Sequence, residues 1–270
     1  MAGYFDDHSI MRRVHRERAV ALSGPRALLM QAAHPLAVKG LLAHSSALDE
    51  PYERLARTAE TMDTIAFGSR EQADRVTRRV RAMHGRVSGK LDQAVGPYPA
   101  GTPYRADDPA LLLWVLFTLI DSALVFYRAY VGDLSRRAES ALWDDYKQVG
   151  ELFGLEPAQM PGTLDQLDAY RTEMLGGGHL FVTDWARERA REIVLDPPVP
   201  LTMRPLVEAV NFVTITLLPE PIRRGYDFSR VPPQPVRRAL VVGGAEYLKR
   251  AVVPFLPKRI RFAPQARSAA

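Results

Sequence analysis

The side chains in this sequence with the means to do chemistry are histidines and arginines, and their spacing is the place to begin. The chain has six histidines and no cysteine. Disulfides, thiolate metal sites, cysteine-held clusters and cysteine nucleophiles are therefore excluded, and ligation of a metal or haem falls to histidine, carboxylates, methionine or tyrosine. His84 lies near the end of the stretch Ser69 to Gly89, in which Ala73, Val76, Val80, Met83 and Val87 recur at three-and-four spacing and predict one buried helix face. At about 100° per residue, His84 projects beside Met83 with Thr77, Arg81 and Ser88 flanking it. That placement suits a ligand inside a pocket. His34 stands in Ala32-Ala33-His34-Pro35, just before a proline that breaks or kinks its helix. A side chain there can face a cavity, or be satisfied by a neighbouring carbonyl, and both readings stay open.

Other polar groups are less selective. Arg54 and Thr58 are four apart and share a helix face, with Arg57 beside them. Each arginine could meet an anion, although an isolated helical arginine is more often solvated. Asp121 closes an apolar segment and needs a partner; Arg128, two turns on, is the local candidate for a structural ion pair. Gly176-Gly177-Gly178 lacks the strand context of a phosphate-binding loop and reads as a turn, with His179 in the loop after it.

The elements that must position these residues are helices. Ser69 and Gln72 have the form of a capping box, and Gly89 is the expected stop. Ile10 to Leu22 reads as an arm or first helix, Arg26 to His34 as the second after Pro25, and Tyr52 to Phe67 as a third ending at Gly68. After a loop rich in Gly and Pro, Asp107 or Asp108 caps a helix from Pro109 to Val131, apolar nearly all round through Ile120 and expected to be the central core element. Ser135 to Gly154, Thr163 to Leu175, Thr183 to Leu195, Met203 to Leu218 and Val236 to Val253 complete the set. No strand-forming alternation persists, so the expected fold class is all-α.

With 270 residues, 47% of them hydrophobic, the chain can bury a large core. It is expected to be a single helical domain over residues 1–270, with 226–270 a C-terminal helical extension and basic tail. The start lacks the basic and then apolar run of a secretory signal, which makes the cytoplasm the expected compartment. The apolar run Ala110 to Ile120 falls short of the roughly 17 residues a membrane span requires. A net charge of +5 is spread over most helices and no nucleic-acid module is present, so no nucleic-acid partner is expected. From Lys249 to Arg267, Phe255, Leu256, Ile260 and Phe262 alternate with Lys249, Arg250, Lys258, Arg259 and Arg261. Such a tail can dock on the core or touch an anionic membrane surface.

Four segments, in order, carry a resemblance. They are G-P-R-A-L-L-M-Q-A-A-H-P at Gly24 to Pro35, R-L-A-R-T at Arg54 to Thr58, R-A-M-H-G-R-V-S-G at Arg81 to Gly89, and W-V-L-F-T-L-I-D-S at Trp114 to Ser122. The chain resembles, over roughly residues 10–225, the latex-clearing protein family of rubber oxygenases and MpaB-type oxygenases.

The resemblance implies an all-helical, globin-like core that holds haem b, with molecular oxygen as oxidant and a hydrophobic small molecule as substrate. It implies His84 as the iron ligand, in the pattern Arg81-x-x-His84, and an Arg54-x-x-x-Thr58 pattern near the haem. Arg81 or Arg86 would pair a haem propionate, Arg57 or Thr58 would donate a hydrogen bond to bound oxygen, and His34 is a further distal candidate. The sequence departs from the family at Arg57, where rubber oxygenases carry a distal lysine, and at Leu116, where many MpaB-type relatives carry histidine. Rubber cleavage itself is therefore not implied. The alternatives are a non-catalytic haem- or lipid-binding helical protein, and a peripheral membrane or partner-binding protein.

Overall fold

The computed structural model describes residues 2–43, 51–195, 202, 204–228, 241 and 243–267. In chain order the helices are α1 (Ile10–His15), α2 (Arg18–Ala21), α3 (Gly24–Ala32), α4 (Pro35–Ala43), α5 (Pro51–Phe67), α6 (Arg70–His84), α7 (Pro109–Tyr130), α8 (Arg136–Phe153), α9 (Leu164–Gly176), α10 (Asp184–Leu195), α11 (Arg204–Leu217) and α12 (Glu220–Gly225). Helical turns follow between Gly243 and Arg267. The fold is all-α, as its periodicity predicts.

The centre of the bundle is α7. Asp108 caps it by accepting the N–H of Ala110 at 2.8 Å, and Pro109 occupies its first turn. Trp114, Phe117 and Ile120 are buried along it, each contributing about 2–3 kcal/mol by leaving water. Length and apolarity would let α7 cross a membrane, but most of it is buried inside the protein, as befits a core helix. α2, α3 and α8 pack along it, and α1 lies against α8. Local signals mark the other boundaries well. Ser135 caps α8 and Gly154 ends it in the left-handed conformation at φ 101°, while Thr163 and Gln166 form a reciprocal capping box on α9.

Four expectations change. The stretch from Ile10 to Leu22 is two helices, because Glu17 is extended between them and bridges to Phe262. Its buried carboxylate accepts both Arg261 hydrogen bonds at 2.8 Å, a contact from the far end of the chain. α6 ends at His84 and does not run to Gly89. Ser88–Lys90 (β1) instead pairs antiparallel with Pro103–Arg105 (β2), with Gly89 opposite Tyr104. A Cβ at Gly89 would collide with the Tyr104 ring, so this glycine makes room for a close contact and does not stop a helix.

Met83 is exposed; the buried face of α6 is Ala73 and Thr77, with Val76, Val80 and His84 half-buried beside them. The helix faces its neighbours one position round from where a maximally apolar stripe would put it. Of the helix expected over Val236 to Val253, residues 236–240 and 242 lie outside the described residues, and from Gly243 on the chain is helical.

The fourth change concerns Asp121. Its partner is Arg26 of α3, 2.7 Å away, with Arg171 of α9 at 3.5 Å, whereas Arg128 pairs with Glu139 of α8. Arg26 is only 1% exposed. Its Nε donates to the Leu217 carbonyl at 2.8 Å and its Nη1 to the Ser122 hydroxyl at 2.7 Å. Burial pushes the Arg26 pKa down, and the Asp121 carboxylate opposes that shift. Removing one charge from such a pair strands the other in a poorly solvated place, which costs about 3–5 kcal/mol. Asp121→Asn should accordingly lower unfolding free energy by about 3 kcal/mol in urea titration, and a change within experimental error would show that the pair does not hold the core.

Candidate functional site

Gly68 and Ser69 alone separate α5 from α6. Ser69 restarts the helix with a reciprocal cap: its N–H donates to Gln72 Oε1 at 2.8 Å, and the Gln72 N–H donates to Ser69 Oγ at 3.3 Å. The two helices pack against each other. Residues 57–60 of α5 are exposed, whereas Met62, Ile65 and Ala66 further along are buried. The helix thus leaves the core as it approaches the arginine-rich stretch.

His84 lies half-buried on the inner face of α6. Just beyond it, the Val87 N–H donates to the His84 carbonyl at 2.9 Å, and the Val87 side chain lies against Gly40 of α4. The Asp107 carboxyl is held below the usual carboxylate range by its Arg105 hydrogen bond first, with His84 as a smaller influence from nearby. Arg81 lies against Gly154, at the C-terminus of α8, where a cation is favoured by the exposed carbonyls. Arg86 is exposed after Gly85. Arg57 and Thr58 are exposed on α5, and the side chain of Arg54 lies outside the described residues.

His34 belongs to a different cluster. Its Nε2 is 3.1 Å from the Tyr98 hydroxyl, which donates to the His179 carbonyl at 3.3 Å, and His179 Nε2 lies 3.1 Å from Glu173. The neighbouring group that His34 meets is thus a tyrosine, not the backbone carbonyl considered from sequence. Its Nδ1 is buried without a hydrogen-bond partner among the described residues. Tyr98 was not legible as a site residue, since it sits in a Gly- and Pro-rich loop and no spacing links it to position 34. Beside this cluster the Phe181 N–H donates to the Ala33 carbonyl at 2.9 Å. Ala33 and Phe181, with Val182, Ile222 and Arg187, line a cavity of about 190 Å³. The Arg187 guanidinium is engaged by the carbonyls of Gly225 and Val182 at 3.0 and 3.1 Å.

The donor chemistry narrows what these residues could hold. Among the described residues, no three of His, Asp and Glu converge as a cage for an ion. A porphyrin brings its own equatorial nitrogens and asks for an axial side chain. His84, half-buried one turn after the half-buried Val80 and with Arg81 and Arg86 near it in sequence, fits that demand. His15 does not, because its Nε2 is engaged by the Tyr146 hydroxyl at 2.8 Å.

The family model described as "ER-bound oxygenase mpaB/B'/Rubber oxygenase, catalytic domain" matches residues 12–261. The chain belongs to this family. No curated protein and no solved structure gives a match. The oxygenase-domain match runs from α1 through the turn at Lys258–Arg261, past residue 225, the expected limit of the resemblance. Within this family chain, Leu116 is a core residue, buried where α7 meets Gly150 of α8.

Two histidines, the buried His34 and the half-buried His15, give this oxygenase-family domain a pH signature. Burial pushes His15 down from 6.5 to about 4; burial, and then the charge of His179, does the same for His34. The unfolded chain takes up a proton at each near pH 6.5, while the folded chain resists until about pH 4. Proton uptake therefore favours unfolding, and stability falls as pH drops through that window, by up to ~3 kcal/mol per histidine. Urea midpoints measured between neutral pH and pH 4.5 should decline, and His34→Gln should make the decline shallower; an identical slope in the variant would count against a neutral His34.

Proposed function

We propose that this chain is a haem b-dependent oxygenase or oxidase that acts with molecular oxygen on a hydrophobic small molecule. The observation that carries this reading is the oxygenase catalytic-domain match over residues 12–261, within which α6 carries the half-buried His84 and α5, packed against α6, carries Arg54, Arg57 and Thr58. Haem, when bound, supplies the iron at which dioxygen is activated.

The chain's own residues have separable tasks. His84 would hold the haem iron through a neutral imidazole nitrogen. Arg54, Arg81 and Arg86 are candidates to pair the propionates, since a guanidinium meets a carboxylate in a paired, charge-assisted geometry. Arg57 keeps its proton at neutral pH, so it serves as a hydrogen-bond donor and charge stabiliser and not as a base. Thr58 offers a neutral hydroxyl beside it. A distal lysine, the residue of the rubber oxygenases at this position, could exchange a proton where Arg57 does not, and this argues for a substrate other than rubber. His34, engaged by Tyr98 in its own cluster, is a poorer distal candidate than Arg57 or Thr58.

An absorption spectrum is the direct test. The purified protein, supplemented with haem, should show a Soret band that His84→Ala loses or shifts, while His8→Ala, at an exposed position, leaves it unchanged. Arg57→Leu and Thr58→Val should retain haem, and should slow reductant-driven oxygen consumption by ~10-fold or more if a donor to developing negative charge is lost. A protein that stays colourless after haem supplementation would overturn the reading in favour of a non-catalytic lipid-binding fold. A Soret band unchanged in His84→Ala would sink the ligand assignment.

A further inference from the structure

The segment from Tyr247 to Ile260 contains four of the seven exposed large hydrophobic side chains among the described residues: Tyr247, Leu248, Phe255 and Ile260. Phe255 is 80% exposed, Tyr247 66% and Ile260 54%. Water penalises such exposure, and concentration in one segment distinguishes it from the scattered apolar residues of an ordinary surface.

The segment is held at both ends. On one side Lys249 reaches Asp133 at 3.2 Å. On the other, Arg261 is bound by the buried Glu17, and the Ala263 N–H donates to the Arg16 carbonyl at 2.7 Å, with the Arg16 guanidinium over the Phe262 ring. Phe262 and Ala263 dock inward while Phe255 and Ile260 stay out. One part of the tail thus docks on the core, as one of its two expected readings has it, and another part is left in solvent. Pro254 and Pro257 bracket Phe255 and Leu256, which limits the freedom of the exposed turn.

Charge decides what fits there. From Tyr247 to Arg267 the sequence has six cationic residues and no acidic one. Arg250 pairs with Glu246 at 2.7 Å, but Lys258 and Arg259, both exposed, have no ion pair among the described residues. A second copy docked on this face across a twofold axis would set these cations against their own counterparts. A surface dense in phosphate suits both halves of the pattern, since it takes apolar side chains below the headgroups and cations level with them.

We propose that the turn around Phe255 is a peripheral membrane anchor for bilayers rich in anionic phospholipid, with Phe255 and Ile260 entering the interface and Lys258 and Arg259 meeting the headgroup phosphates. The inference is independent of the haem reading, because it uses no residue of α5 or α6 and its readout is lipid binding. Each cation near an anionic surface strengthens binding about fivefold, and burying one large apolar side chain strengthens it about tenfold or more.

The test uses the full chain with vesicles of phosphatidylcholine alone, or with phosphatidylglycerol added. Co-sedimentation should require the anionic lipid. K258Q/R259Q should weaken it ~25-fold, and F255S should weaken it by ~10-fold or more, with circular dichroism of each variant unchanged. As a second measurement, Phe255→Trp should be quenched by brominated acyl chains. Equal binding to neutral and anionic vesicles, no binding to either, or an unquenched tryptophan would overturn the proposal. A wild-type protein that dimerises through this face, becoming monomeric in F255S, would overturn it in favour of self-association.

Discussion

The bundle depends on satisfying one guanidinium. Arg26 is almost wholly removed from water, and its donors reach three different places: the Leu217 carbonyl at the end of α11, the Ser122 hydroxyl and the Asp121 carboxylate, both on α7. A planar fork with fixed donor directions accepts few arrangements of its acceptors. Meeting all of them sets the position of α3 along α7 and brings the end of α11 to the same point. Arg171 of α9 adds a second cation on the Asp121 side. Apolar contacts make up most of the surrounding core, but they tolerate sliding more readily than a buried polar network does, so this network selects one packing among many of similar apolar burial.

From that anchored core the candidate site extends outward. α3 leads through the break at Ala33 and His34 into α4, whose first turn takes up the His34 carbonyl through the Val38 N–H at 3.0 Å. The start of α4 therefore adjoins the His34–Tyr98 cluster, and Gly40 on the same helix meets Val87, just past His84. One short helix connects both histidine neighbourhoods. α5 and α6, packed on each other, are buried near the turn that joins them, while Arg57 and Thr58 further along α5 are exposed. A domain built this way has a rigid centre and a less tightly packed margin, which suits binding chemistry that must admit a ligand.

Departures from the family pattern take different weights when set in the fold. Leu116 is deep in the α7–α8 interface beside Gly150, so the residue there packs a core. Arg57 is exposed on α5, so the residue type there leaves the packing of the core untouched, whereas the leucine bears on it directly.

Much of the architecture was legible in the residues themselves. Caps at Ser69, Asp108, Ser135 and Thr163, the αL glycine at 154 and the wholly apolar run of α7 act within a few residues of where they are read, and each marks an element the structure contains. His84 could be placed at an edge of a helix by spacing alone, though not the side that the helix would turn inward; Met83 was assigned to the core and lies in solvent. Tertiary structure decided the long-range pairs. Arg26 meets Ser122 across 96 positions and Leu217 across 191, and Glu17 meets Arg261 across 244. No periodicity encodes such partners, because a charged side chain accepts any well-placed counter-charge and only the packing of distant helices determines which arrives. The same holds for Tyr98 and His34: their types permitted a hydrogen bond, and the path of the loop after α6 supplied it.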